Sequence, residues 1–539
     1  MENPKTSSSL LPVNEIQESF AGGMRDRDHA SQIDPNQYAY GKNIEIRDAG
    51  LAKTRRGTSI QSATLNTVPQ EVAYYEPTPG NGMIIQVNTG VVYKWTVASG
   101  VWTQVKTATL NNISARCSIS ILNGILYLYA GANDHVWSWD GVAADFTDEG
   151  DSDAEPPLGD LSTVQAGRMV AAGVPATVAP SAITNARDYL FFSSVFDGHT
   201  FDRLNNTQRI PTDGSEPITA IAMYRLLQIL CFTRNSCHIY DMTGSTVSGF
   251  SRITIDPKIG CSAPNSLVVV GEDAFFLSSD RHIRTIKRTI NDIAYGVSNP
   301  VSFWVPNLMD RINVSYVHIC AGVYYDNYYL LAAPLDTGTT NNGVIVFDLL
   351  HQVATPSGYV PVCVGEWTNI KPFKWVVTNF SNQRELYYVS ATTGALYKMF
   401  DGTSDVTTLP DVDPEEETTI PSRILTRAPN WGTPRHDKTM HNGEIQFLNT
   451  VGTLVASYIK DDGTVYSLLT ASVGSENDAF LPISLPFLLA GGGTLFNLPL
   501  SFYRQGRSRN WQLQLDHDGG QCQYKEITMS AFVEGAMTR

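Results

Sequence analysis

From about residue 72 to residue 401 the chain repeats one pattern. An alternating or apolar stretch is followed by a turn, a second stretch rich in Tyr, Phe and Val, then a polar hairpin and an outer stretch. Seven such units can be counted, at residues 71–105, 117–141, 186–204, 218–241, 266–288, 318–350 and 375–402. Within a unit the period is two: in GVVYKWTV, Val92, Lys94 and Thr96 fall on one face and Val91, Tyr93, Trp95 and Val97 on the other, as in a strand. A recurrence of roughly 40 to 50 residues is that of one four-stranded blade. A blade cannot cover both of its faces alone, whereas radial stacking covers each with a neighbour and leaves only short edges. The pattern therefore predicts an all-β chain built around a β-propeller of six to eight blades.

The flanks read differently. Gly22-Gly23, Asp34-Pro35-Asn36, Asp48-Ala49-Gly50 and Arg56-Gly57 break residues 1–66 into short extended pieces, predicting an arm and a hairpin ahead of a propeller at 67–405. Residues 147–167, acidic and proline-bearing, read as an exposed loop inserted on one face. Residues 406–420 form an acidic linker, and residues 421–539 change to longer alternating strands with Asp-Asp-Gly and Asp-Gly-Gly turns, predicting a separate sandwich-like β domain. Gly491-Gly492-Gly493 reads as a flexible turn.

Composition agrees with several domains of β structure. The 539 residues exceed what one core supports, and 42% hydrophobic against 17% charged residues, with Tyr, Phe, Thr and Val plentiful, suits pleated, half-buried surfaces. No basic start leads into an apolar run, and no run approaches the ~18 to 20 residues that span a bilayer, so a soluble protein made in the cytosol without membrane insertion is expected. Seven cysteines, odd in number and never spaced as CxxC, read as buried thiols. The net charge of −15 opposes any large surface gripping a phosphate backbone. One compact basic cluster, Lys53, Arg55 and Arg56 with Arg47 nearby, reads as a solvated loop or a protein-docking patch.

Catalytic patterns are sparse. The strings nearest to a sialidase Asp-box, Lys460-Asp461-Asp462-Gly463-Thr464 and Ser279-Asp280-Arg281, neither complete the motif nor repeat it. The histidines lack HExxH spacing, with His436 and His441 five apart, and GxSxG elbows and P-loops are absent. The acidic loop at 148–160 lacks EF-hand spacing. The reading is a protein without enzymatic activity, cofactor or metal. The alternative is a carbohydrate- or receptor-binding propeller, with Trp137, Trp139 and Trp304 as candidate sugar-stacking residues, and less favoured a glycan hydrolase.

The two ends carry the most specific signal. Phe20-Ala21-Gly22-Gly23-Met24, Asp34-Pro35-Asn36-Gln37, Asn43-Ile44-Glu45-Ile46-Arg47-Asp48-Ala49-Gly50 and Lys53-Thr54-Arg55-Arg56-Gly57-Thr58 resemble the start of tail proteins of short-tailed bacteriophages. Ala49 stands where that family often has glycine. Gly506-Arg507-Ser508-Arg509-Asn510-Trp511-Gln512-Leu513, followed by a strand with ITMSAFVEG, is similar to their end. The family is the tail nozzle, also called tail tubular protein B or packaged-DNA stabilisation protein. The resemblance implies a virion tail protein, a homohexamer on an adaptor ring below the portal. It would retain packaged DNA and conduct it without sequence-specific binding, beside tail fibres or spikes. Phe20, Met24, Arg47, Arg55 and Arg56 are the expected contacts to adaptor or neighbour. On that expectation, removing residues 1–57 abolishes assembly and leaves the propeller folded.

Overall fold

The computed structural model describes residues 12–48, 50–131, 134–174, 183, 186–210, 216–287, 289, 300–356, 358–409, 416–432, 435–448, 450–473, 495–502 and 505–533. Ala49 and the Gly491 to Gly493 turn lie outside them. Seven sheets follow one another along the chain. The first four, within residues 69–104, 118–148, 161–209 and 218–256, each have four antiparallel strands in sequence order. The fifth has three, Val268–Val270, Asp273–Leu277 and Ile283–Thr285. The sixth begins Ala321–Tyr325, Tyr328–Ala333, Gly343–Thr355 and Gly358–Thr368. The seventh holds Pro372–Phe380, Gln383–Ser390 and Leu396–Met399, and its fourth strand, Thr58–Ile60, comes from near the start of the chain. The first strands of successive sheets touch in turn, and Pro372–Phe380 of the seventh touches Pro69–Tyr75 of the first. The ring is closed: a seven-bladed propeller whose blades match the seven counted units.

Side-chain packing explains why the blades read as strands covered on both faces. Val92 packs between blades one and two, beside Leu126 and Trp139, whereas Trp95 of the same strand packs between blades one and seven, beside Val376 and Tyr387. Further clusters fill the gaps between blades two and three, three and four, and four and five. All seven cysteines are buried thiols.

The 147–167 segment corrects the sequence reading. Its last part is no loop: Leu161–Gln165 is the innermost strand of blade three and turns back into Arg168–Ala172. Ala166 and Gly167 make the two-residue turn with φ of 51° and 69°. Paired positive φ values give the primed turn whose twist fits a hairpin. Alanine there, after an acidic, proline-bearing stretch, hid the hairpin, so unit three was read from its outer half alone.

The flanking domains are corrected as well. Residues 12–60 do not stand apart as an arm and hairpin, and the second β domain is not built from 421–539 alone. Val13–Gln17 and Ala52–Thr54 both pair with Gln523–Val533, in a sheet that includes Lys438–Leu448. Gln37–Lys42 lies between Gly358–Thr368 of blade six and Ser422–Thr426, and the sheet continues through Gln512–Asp518 and Gly452–Ile459 to Val465–Val473. One sheet thus runs from the propeller into the second domain. Tyr38, Ile44, Trp367, Ile424, Phe447, Trp511 and Tyr524 belong to one apolar core. The acidic linker also carries structure at its ends, where Asp405–Val406 pairs with Glu417–Thr418.

Candidate functional site

The residues that carry the N-terminal resemblance converge where blades six and seven meet the second domain. Gly23 has a φ of 71°, and a Cβ on it would lie 2.6 Å from the Cys363 carbonyl oxygen, so only glycine lets the chain cross blade six here. Phe20 and Met24, on either side, are buried in the shared core. Tyr38 donates its hydroxyl to the Val364 carbonyl at 2.7 Å, and Trp367 donates its indole N–H to the Ile44 carbonyl at 2.9 Å.

Arg55 is the hub of this seam. It is 0% exposed, and all five of its N–H donors are used. Nη1 and Nη2 grip the Asp405 carboxylate at 3.0 and 2.7 Å, Nε meets Asn43 Oδ1 at 3.2 Å, and the remaining two reach the carbonyls of Arg56 and Thr368 at 3.0 and 3.1 Å. Asp405 Oδ1 also accepts from Thr58 Oγ1 at 3.1 Å. Asn43, held at a φ of 53°, donates to Thr368 Oγ1 and the Pro421 carbonyl. Gly57 is fitted as closely: a Cβ there would lie 1.8 Å from the Ser404 carbonyl oxygen.

The basic cluster is therefore not a solvated loop, since each of its members is paired within its own chain. Arg47 lies 3.3 Å over the Tyr328 ring and pairs with Asp348 and Asp326 at 3.4 and 3.0 Å. Arg56 lies over the Phe400 ring and 3.6 Å from Glu45, and Lys53 pairs with Asp48 at 2.6 Å. The structure brings Phe20, Met24, Arg47, Arg55 and Arg56 together, but facing their own chain. Phe20, Met24 and Arg55 have no surface to offer a neighbour, which corrects their expected role as assembly contacts.

Two other expectations meet local packing. Trp139 is buried and stacked on Phe146, which withdraws it from sugar stacking, while Lys106 covers one face of the Trp137 ring at 3.7 Å and Arg25 one face of the Trp304 ring at 3.9 Å. The acidic loop is organised by Arg203, which donates to Asp151 and to the Glu155 and Pro156 carbonyls at 2.9, 2.9 and 2.6 Å. Among the described residues no group of three His, Cys, Asp or Glu side chains is placed to hold a metal.

Asp26 clamps the short helix Pro306–Asp310, accepting from the backbone N–H groups of Asn307 and Leu308 at 3.1 and 2.8 Å. Burial outweighs those bonds and, with a small addition from Asp310, pushes its carboxyl up from 3.8 to about 6. A folded pKa above the unfolded one means stability that is present below pH 4 and lost as pH rises through 6. The stability of wild type relative to Asp26→Asn is expected to fall by about 1 to 3 kcal/mol between pH 4 and 7, read by urea unfolding at each pH. A flat difference would contradict the burial assigned to Asp26.

A cleft of two adjoining lobes lies apart from the seam core, on the face where blades seven, one and two turn. Its first lobe, about 500 Å³, includes Trp95, Gln383, Glu385 and Lys398, and its second, about 580 Å³, includes Glu76 and Asn81. Val97, Phe380 and Ser381 line both. The sequence reading missed this cleft, because its walls come from residues about 300 positions apart in the chain.

No protein-family model matches the chain, and no curated protein matches it. Among solved structures, it is similar to a chain of the mitotic checkpoint complex at 10% identity, TM-score 0.36, over 64% of this chain and 95% of that one. PorZ, an essential surface component of the type-IX secretion system of Porphyromonas gingivalis, is similar at 13% identity, TM-score 0.33, over 72% and 44%. An ancestral GH74 enzyme is similar at 11% identity, TM-score 0.40, over 69% and 52%. At these scores the propeller assignment rests on the closed ring of seven sheets described above.

Proposed function

We propose that the chain is the repeating unit of a tail nozzle of a short-tailed bacteriophage, a hexameric ring that seats on the adaptor below the portal, retains packaged DNA and conducts it at ejection. The observation that carries this reading is the welding of the two domains. The end segments that resemble the tail nozzle are the ones that join propeller to sandwich, through a continuous sheet, a shared core and the Arg55–Asp405 pair. A hinge between domains would yield under the pressure of a packed genome, and a sheet that crosses the boundary removes the hinge. The charge supports the same reading: six copies at −15 each repel phosphates within a Debye length of ~8 Å, which keeps DNA from adhering to the wall.

Native mass spectrometry and electron cryomicroscopy of the full chain, alone and with the adaptor ring, test the proposal. The expected result is a ring of six copies on the adaptor, with a lumen that is acidic or neutral. A chain that stays monomeric with and without the adaptor overturns the nozzle reading, and a strongly basic lumen overturns the account of the charge.

A further inference from the structure

We infer that the cleft between blades seven, one and two is a binding site for a neutral oligosaccharide. The site is built from residues outside the seam, and the inference does not rest on the nozzle reading.

Its shape comes first. Two lobes of about 500 and about 580 Å³ share Val97, Phe380 and Ser381. Each lobe alone has the size of a small-molecule site. An occupant of both is therefore extended and made of more than one unit.

Trp95 supplies the second observation. It lines the first lobe, is 2% exposed, and is fixed by Phe380 and Tyr387, whose ring centroids lie 6.0 Å away. Its indole Nε1–H is buried with no acceptor. A buried donor left unpaired carries its full desolvation cost, so a ligand oxygen admitted to it by a small shift of the lobe's wall recovers that cost.

The remaining polar groups choose the class of ligand. Glu385 accepts from the Tyr387 hydroxyl at 2.7 Å and from Lys398 at 2.6 Å, so the cleft's lysine is already neutralised. Glu76 adds a second carboxylate and accepts the Gly80 N–H at 2.7 Å. An anionic ligand would meet two carboxylates and an engaged lysine. Hydroxyl-rich sugars, each hydroxyl both donor and acceptor, match carboxylate, amide and indole groups arranged around Phe380.

The test titrates the full chain with cellohexaose, maltohexaose and laminarihexaose, and with hexagalacturonate as an acidic probe, by calorimetry and tryptophan fluorescence. At least one neutral probe is expected to bind with a Kd below about 1 mM. Val97→Arg, at a 59% exposed position that lines both lobes, is expected to weaken that binding more than about tenfold. Leu226→Arg, at an 86% exposed position on blade four, leaves it unchanged. Trp95→Phe is expected to weaken it about three- to tenfold, the worth of one hydrogen bond. The inference is overturned if no neutral probe binds at about 5 mM, if only the acidic probe binds, or if binding survives Val97→Arg.

Discussion

Replacing Arg55 by alanine is expected to lower stability by about 3 to 5 kcal/mol, the cost of leaving one member of a buried ion pair without its partner. The side chains of Arg55 and Asp405 are 0% and 7% exposed, so water cannot take over the contact. The loss also strands more than a carboxylate: Asn43 Oδ1 and the carbonyls of Arg56 and Thr368 lose a donor. Arg55→Lys keeps the charge but carries three donors on a flexible stem in place of a planar five-donor fork, and is expected to recover less than half of the loss. The double replacement Arg55→Met with Asp405→Leu removes both charges and is expected to be more stable than either single variant, because no buried charge remains unpaired. Urea unfolding of wild type, of the single variants Arg55→Ala, Arg55→Lys, Arg55→Met and Asp405→Leu, and of the double variant measures this. A loss below about 1 kcal/mol for Arg55→Ala would mean that the pair is wet, contrary to its burial.

The propeller was legible in the sequence because each blade is local. Its hairpins join neighbouring residues, its faces alternate, and turns such as Asn123-Gly124 announce themselves. Blade three was half lost because Ala166 fills a position that usually shows glycine or asparagine. The seam was not legible for a different reason. Arg55 and Asp405 lie 350 positions apart, and Tyr38 and Val364 lie 326 apart, distances at which no local pattern announces a partner. The N-terminal residues were noticed through their resemblance, and their position at a domain junction gives that pattern a physical cause. Arg55 needs five acceptors, and Gly57 and Gly23 need space that a Cβ would fill. The opening stretch reads as an arm because its apolar residues are spaced out between turns, and Phe20, Met24, Tyr38, Ile44 and Ile46 among them enter a core that the rest of the chain supplies.

Deletion of residues 1–57 is expected to prevent folding of the remaining chain, and not to yield a soluble propeller that merely fails to assemble. The deletion removes Phe20, Met24, Tyr38, Ile44, Ile46 and Ala52, all buried in the core shared with blades five to seven and the second domain. At about 1.5 to 3 kcal/mol for each large apolar side chain, the loss is roughly 10 kcal/mol, comparable with the whole stability of an ordinary domain. It also strips Val13–Gln17 and Ala52–Thr54 from one sheet and Gln37–Lys42 from the middle of the other, exposing unpaired backbone edges that invite aggregation. Asp405 is left buried without Arg55, and Trp367 loses the Ile44 carbonyl. Thr58–Ile60, the fourth strand of blade seven, is retained, so the loss falls on the seam and not on the strand that closes the ring. Solubility, size-exclusion volume and cooperative urea unfolding of the truncated chain decide the matter. A soluble monomer with a sharp unfolding transition would show that the propeller stands without its seam, and would return residues 12–57 to the role of a separable arm.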